Sequence, residues 1–329
     1  MKRLVVLLCV LFILALIADL ALGSVIFSPA ELWEAIKGNP EVDIQREILL
    51  NHRLPKALTA ILTGAGLAIS GVLMQTLFNN PLAGPDVLGV TSGASLGVAL
   101  LTLSGVALPF LNYLSGWGQV TAAIIGATIV LLLVVFVALR VRQTVSLLIV
   151  GLMIGYFAGA IVSILQSISN PDTLKLFVTW TFGSLSAVGW DQIKVLFTFT
   201  LVGIIGALLL QKSLNALLLG YNYAKGLGFS VKKLQVLVIL LTALLAGTST
   251  AFTGPIAFIG ITTPHIARGL FKTANHRVVL FASMGCGAII MLFCDLISQL
   301  PGLQGTLPIN AVTALFGAPI IISILLKEK

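Results

Sequence analysis

Apolar runs of about twenty residues recur along this chain, separated by short segments that carry Gly, Pro, Asn and nearly all of the charge. They fall at 4–23, 54–77, 92–111, 119–139, 145–168, 192–211, 234–252, 255–271, 278–300 and 307–326, a pattern that predicts ten helices. Crossing the hydrocarbon of a bilayer takes roughly 20 residues, and most of these runs meet that length. The eighth is short and contains Pro264, so a kinked or partial span is expected there. A membrane β-barrel would instead show alternating segments of about ten residues. The expected fold is therefore an all-α polytopic membrane protein: about ten transmembrane helices in one bundle. Residues 1–329 hold no polar insert long enough for a second domain.

Composition agrees. The chain is 58% hydrophobic and 9% charged, with a mean hydropathy of +1.10; soluble domains carry about 25% charged residues. Ten spans put both termini on one side. Grouped by loop parity, that side holds 13 of the 19 basic residues, among them Lys2, Arg3, Arg140, Lys225, Arg268 and Lys329. The positive-inside rule makes this side cytoplasmic, in a cell (inner) membrane. Acids such as Glu31, Glu34, Asp43 and Asp172 gather opposite. The net charge of +8 is thus spread over loop ends and predicts no nucleic-acid partner. Lys2-Arg3, the first apolar run and Ala21-Leu22-Gly23-Ser24 also have the outline of a signal peptide. The run is long for that role, and an uncleaved first helix is expected.

Two turns echo each other. Gly84-Pro85 with Gly89-Val90-Thr91-Ser92 follows the second span; Gly254-Pro255 with Gly260-Ile261-Thr262-Thr263 follows the seventh. Those spans run in opposite directions, which is a weak inverted-repeat signal. Thr91 and Ser92 are suited to cap the third helix.

Enzyme chemistry is sparse. No Gly-Lys dipeptide occurs, so no Walker A loop is present, and there is no HExxH or CxxC. Cys9, Cys286 and Cys294 sit in apolar runs and are expected as buried small hydrophobes, with no metal site. His52, His265 and His276 lie near helix ends as interfacial polar residues. Asp19 is expected at the interface. Asp295 lies deep in the ninth span, where a charge costs about 2.5–3.5 kcal/mol on insertion scales. A structural hydrogen bond to a neighbouring helix or a part in proton coupling would explain it.

Several stretches have two readings. Gly151, Gly155 and Gly159, four apart in the fifth span, make a smooth face for packing, for a subunit interface or for a pore lining. Residues 213–230 are too polar to span and too apolar for a solvated loop, so they form a surface-lying helix or a protein docking site. Arg53-Leu54-Pro55-Lys56 opens the second helix as an interfacial anchor or as a docking group. Gln143-Thr144-Val145 is a short turn with Thr144 as helix N-cap.

The stretch Asn79-Asn80-Pro81-Leu82-Ala83-Gly84-Pro85-Asp86, continued by Val87-Leu88-Gly89-Val90-Thr91-Ser92-Gly93-Ala94, carries a resemblance. With Arg53-Leu54-Pro55 upstream and Thr263-Pro264-His265-Ile266-Ala267-Arg268 downstream, it closely resembles the FecCD-type permeases of iron-siderophore, haem and cobalamin ABC importers. The resemblance runs from about residue 46 to the C-terminus. It implies a single permease domain working as a homodimer with two ATP-binding subunits and a periplasmic or lipid-anchored substrate-binding protein. ATP and Mg would belong to the ATPase, so this chain is expected to hold no cofactor and to catalyse no reaction. Segment 213–230 matches the coupling helices that dock on the ATPase, with Tyr221, Tyr223, Ala224 and Gly228 at the contact. Arg53 and Lys56 match basic residues that meet the binding protein. A further basic docking residue of some relatives falls at Gln299. Thr144 and Val145 match an inner gate loop, and the Gly151, Gly155 and Gly159 face lies on the translocation path. An ion-coupled secondary transporter is the alternative, but it would need more acids at mid-membrane. Siderophore, haem, cobalamin and molybdate relatives share these motifs.

Overall fold

The computed structural model describes residues 2–23, 25–37, 43–104, 117–141, 144–299 and 305–327. Among these residues every regular element is helical. Ten helices correspond to the ten apolar runs: α1 (Lys2–Ala21), α4 (Leu54–Phe78), α5 (Val90–Leu103), α6 (Gly118–Arg140) and α7 (Thr144–Ile168), then α9 (Trp190–Leu209), α12 (Val231–Thr253), α13 (Ile259–Phe271), α14 (His276–Ser298) and α15 (Ile309–Lys327). Five shorter helices join them: α2 (Pro29–Lys37), α3 (Asp43–Ile48), α8 (Pro171–Thr181), α10 (Gln211–Leu218) and α11 (Tyr221–Gly226). The third apolar run was expected to continue to residue 111, but 105–116 lie outside the described residues. Among the described residues, seven helices are long and apolar enough to cross a membrane.

α4 is the hub, packed against α9, α12, α13 and α14. Its sequence explains why: the run Thr63-Gly64-Ala65-Gly66-Leu67-Ala68 is buried and offers mostly small side chains. At the crossing with α14, a Cβ on Gly64 would overlap the Gly287 carbonyl oxygen, and one on Gly287 would overlap that of Gly64. The two backbones touch, which membrane helices achieve through small residues because apolar side chains gain little by leaving lipid. α1 sits outside this core. It is apolar all round, its side chains face outward, and Asp19 is its one buried residue.

Two entries into the bundle depart from plain helix. α5 begins after Gly89, which has φ +70°, and a 3-10 turn over Pro85–Leu88. α13 begins after an irregular stretch, Gly254 to Phe258, and Phe258 itself has φ +68°. With 13 residues α13 is about 20 Å long, too short to cross alone. The expected partial span is present, and Pro264 lies inside it. The two turns that echo each other in sequence meet in space. A Cβ on Gly84 would lie 2.8 Å from Ile261 Cγ1, and one on Gly260 would lie 2.7 Å from Pro85 Cδ. Gly260 also packs on Gly71, past the midpoint of α4, so α13 starts inside the bundle. Irregular backbone at that depth needs protein partners. Asn310 supplies one, accepting from the Ala257 N–H at 3.1 Å.

Some local expectations change. Thr91 does not cap α5; its hydroxyl donates to Asp86 Oδ1 at 2.7 Å, and Gly89 is the capping residue without a side-chain bond. Cys9 faces outward on α1, whereas Cys286 and Cys294 are buried as expected. His276 is buried rather than interfacial.

Candidate coupling and translocation sites

One face of the bundle, where α4 ends, carries α10 and α11; the near face is a convenient name for it. Both short helices are anchored from behind. The Tyr221 hydroxyl donates to the Leu77 carbonyl at 2.6 Å, and Ala224 is fully buried. Asn215 on α10 accepts from the His276 backbone N–H at 2.8 Å and donates to Asn275 at 3.2 Å. His276 reaches on to Thr76 of α4 at 2.7 Å. A chain of polar contacts therefore ties α10 to the ends of α4 and α14. Gly220 with φ +102° and Gly228 with φ +85° turn the chain on either side of α11, conformations that glycine adopts without strain.

What remains outward is an apolar patch flanked by exposed Lys212, Asn222 and Lys225. Leu218, Leu219, Tyr223 and Leu227 are all exposed on this small unit. Of the four expected coupling residues, Tyr223 and Gly228 lie on the surface; Ala224 and Tyr221 face inward and hold the unit in place. A Cβ on Gly228 would meet nothing within 4 Å, so its constraint in the isolated chain is φ, not crowding.

On the opposite, far face the chain enters α4 through a π turn, Leu49–Arg53. Arg53 is 6% exposed. Its guanidinium donates to the carbonyls of Leu20, at 2.6 Å, and Val25, and lies 4.0 Å over the Phe27 ring. Lys56, 4% exposed, forms an ion pair with Asp295 Oδ2 at 2.7 Å, while Asp19 Oδ1 stands 3.9 Å from the same ammonium. Gln299 donates to Asp295 Oδ1 at 3.0 Å. These positions correct the expectations for Arg53, Lys56 and Asp19. Arg53 and Lys56 do not present their charges at the surface, because Leu20 of α1 and Val25 engage the guanidinium and Asp19 of α1 and Asp295 of α14 engage the ammonium. Asp19 is not interfacial but 1% exposed. Asp295, by contrast, has the structural contact to a neighbouring helix that was expected, in the form of a charge-assisted bond from Lys56 of α4.

The glycine face of α7 divides. Gly151 abuts Val87 and Leu88, and Gly155 abuts Gly89 and Ser92, so these two serve packing inside the bundle. Gly159 has open space where a Cβ would be. Beside it Met153, Tyr156 and Phe157 stand exposed, as does Val145 at the start of the helix. Gln143 and the Thr144 side chain lie outside the described residues, so the expected cap falls there too. Near the far face a cavity of about 740 Å³ is lined by Gln119, Asp172, Lys175, Thr179, Trp180 and Gln192, among others. Its walls mix charge, amide and aromatic groups.

Gly93-Ala94-Ser95-Leu96-Gly97 spells the GxSxG nucleophile pattern, yet it lies within α5, not at a strand-to-helix turn, and its glycines pack on Gly126 and Ala122 of α6. Among the described residues no group of His, Cys, Asp and Glu is placed to hold a metal ion.

The family model for the FecCD transport family matches residues 9–327. The chain belongs to the FecCD transport family. Among its FecCD-like relatives, the vitamin B12 import system permease protein BtuC of Vibrio cholerae is 35% identical over 320 residues, covering 97% of this chain and 92% of that protein. The hemin transport system permease protein HmuU of Yersinia pestis is 34% identical, covering 97% and 95%. A solved structure described as an inward-facing conformation of a metal-chelate type ABC transporter superposes with a TM-score of 0.86 at 30% identity, over 99% of this chain and all of that one. The FecCD match runs from within α1 to the end of α15, so it takes in both the near-face unit and the far-face charge cluster. The chain is a multi-pass membrane protein of that ABC permease family.

Sequence reasoning missed two features of this FecCD chain. The pairing of Asp19, Lys56 and Asp295 was invisible because the three lie far apart in sequence, although three charges inside or beside apolar runs was a usable signal. The left-handed Phe258 carried no signal at all, since propensity points to glycine there.

Proposed function

We propose that this chain is the transmembrane permease subunit of a binding-protein-dependent ABC importer for an iron chelate, haem or cobalamin. The observation that carries the reading is the near-face unit: exposed Leu218, Leu219, Tyr223 and Leu227 on a segment fixed from behind to α4 and α14. A rigid apolar knob joined to spanning helices is what a protein partner needs in order to push on them. Two ATPase subunits, holding ATP and Mg, would grip this unit on each half of a homodimer, and nucleotide-driven closure would reorient the path between subunits. The chain itself is non-catalytic and forms a single permease domain, 1–329.

The 13-to-six division of basic residues supports an inner-membrane orientation with the near face and both termini in the cytoplasm. The far face would then receive the substrate-binding protein. Exposed apolar residues of α7 around Gly159, with Val145 at its start, line the path or the subunit contact, and bulky chelates suit such weakly polar walls. The ion-coupled alternative has little to work with, since Asp19 and Asp295 are drawn to Lys56.

Uptake by reconstituted vesicles tests the reading. Accumulation of cobalamin, haem or a ferric siderophore should need the cognate ATPase, the binding protein and ATP inside the coupled system. Uptake driven by an ion gradient without any ATPase would overturn it.

A further inference from the structure

Between α1 and α14 runs a groove of about 910 Å³, whose mouth residue Asn275 also accepts from Asn215 of the coupling unit. Val5, Phe12 and Ile13 of α1 and Phe281 of α14 form its walls, with Phe271 of α13 near one end. Val5, Ile13 and Phe281 are exposed, so the groove opens sideways, from between two spanning helices into the hydrocarbon of the membrane. Its floor includes Gly285, where a Cβ would meet nothing within 4 Å. A glycine inside a helix costs about 1 kcal/mol relative to alanine, and here no close backbone explains it. What the glycine does provide is depth.

Charge distinguishes the two ends. At the near-face mouth stand Arg277 and Asn275. Lys2 and Arg3 begin α1 at the same end, and all of these are exposed. Among the described residues, Arg277 belongs to none of the ion pairs. The far end of the α1–α14 contact is closed by the Asp19, Lys56 and Asp295 cluster. The groove is therefore apolar along its length, basic at one mouth and open to lipid.

We infer that this groove is a binding site for an anionic phospholipid, with an acyl chain lying over Gly285 and the phosphate at Arg277. The proposal is independent of which substrate the permease carries. A polybasic mouth at a membrane surface attracts anionic headgroups, and a dry apolar trough between helices accepts a hydrocarbon chain that ordinary boundary lipid would only brush.

Native mass spectrometry of the intact chain in detergent tests this, using added dioleoylphosphatidylglycerol or dioleoylphosphatidylcholine. The wild type should retain phosphatidylglycerol preferentially. Gly285→Phe, which fills the trough, should abolish retention of either lipid. Arg277→Ala should lower the preference for phosphatidylglycerol about fivefold, the weight of one basic side chain at a membrane surface, and Arg277→Lys should keep most of it. Ile129→Phe, on the exposed side of α6, should change nothing. Equal retention of both lipids by the wild type would overturn the proposal. So would unchanged retention in Gly285→Phe, displacement of the lipid by inorganic phosphate alone, or a protein found in its place. Should Gly285→Phe fail to fold, the surface substitution Arg277→Ala still decides the headgroup contact.

Discussion

Lys56, in the first turn of α4, and Asp295, in the last turn of α14, meet at 2.7 Å with both side chains closed off from solvent. Asp19 of α1 faces the same ammonium, so three helices that share few other polar contacts converge on one charge. The backbones of α4 and α14 touch lower down at Gly64 and Gly287, which fixes their approach. The ion pair then fixes their register and recruits α1.

Lys56→Met should therefore destabilise the chain strongly, by about 3–5 kcal/mol, because it strands two buried carboxylates. Asp19→Asn, Lys56→Met and Asp295→Asn together should recover most of that loss, since no carboxylate is then left without its ammonium. Thermal unfolding of the purified variants in detergent measures both. A triple variant no more stable than Lys56→Met would refute the ion cluster as the cause.

The glycine crossing makes a second demand. Gly287→Val places a branched Cβ 2.3 Å from the Gly64 carbonyl oxygen, and backbone cannot yield as a side-chain tip can. Overpacking typically costs about 1–3 kcal/mol and here should reach the upper end. Folded yield and melting temperature of Gly287→Val should fall well below those of Gly285→Val, two residues away, where a Cβ has open space.

How much of this was legible beforehand follows from what each feature depends on. Span positions depend on local hydropathy, and all ten predicted helix starts lie within about four residues of those observed for reasons of composition alone. The partial α13 was readable because Pro264 and a short run are local facts. The fates of Arg53 and Lys56 were not. A basic residue beside a span reads as surface until Leu20, Val25 and Asp295, all distant in sequence, are placed around it. Tyr221 misled in the same way, since its hydroxyl finds the Leu77 carbonyl, while Cys9, expected to be buried, proved exposed on the outer side of α1.

Phe258 offers a test of strain. A non-glycine residue at φ +68° costs of order 1–3 kcal/mol and persists because its ring packs on Gly317 of α15 and its stretch is held by Asn310. Phe258→Ala and Phe258→Gly lose the same ring, so their difference isolates the backbone. The glycine variant should be the more stable by about 1 kcal/mol, read from melting temperature. Equal stability would show that the left-handed conformation relaxes once the ring is gone.

Gly228 separates a structural role from a coupling role. Its φ of +85° strains any side chain, yet a Cβ there points into open space and touches nothing in this chain. Gly228→Ala should thus cost about 1 kcal/mol of local strain and little else. Gly228→Arg adds bulk and charge that only an outside partner would feel. If the exposed Leu219, Tyr223 and Leu227 surface seats in an ATPase, burying an unpaired guanidinium there costs several times more than the strain. Co-purification of the ATPase should therefore survive Gly228→Ala and fail for Gly228→Arg, with both chains still inserted and folded. Substrate-stimulated ATP hydrolysis and vesicle uptake should fall together in the arginine variant, while the affinity of the far face for the binding protein stays. Equal ATPase retention by the two variants would move the contact off this segment.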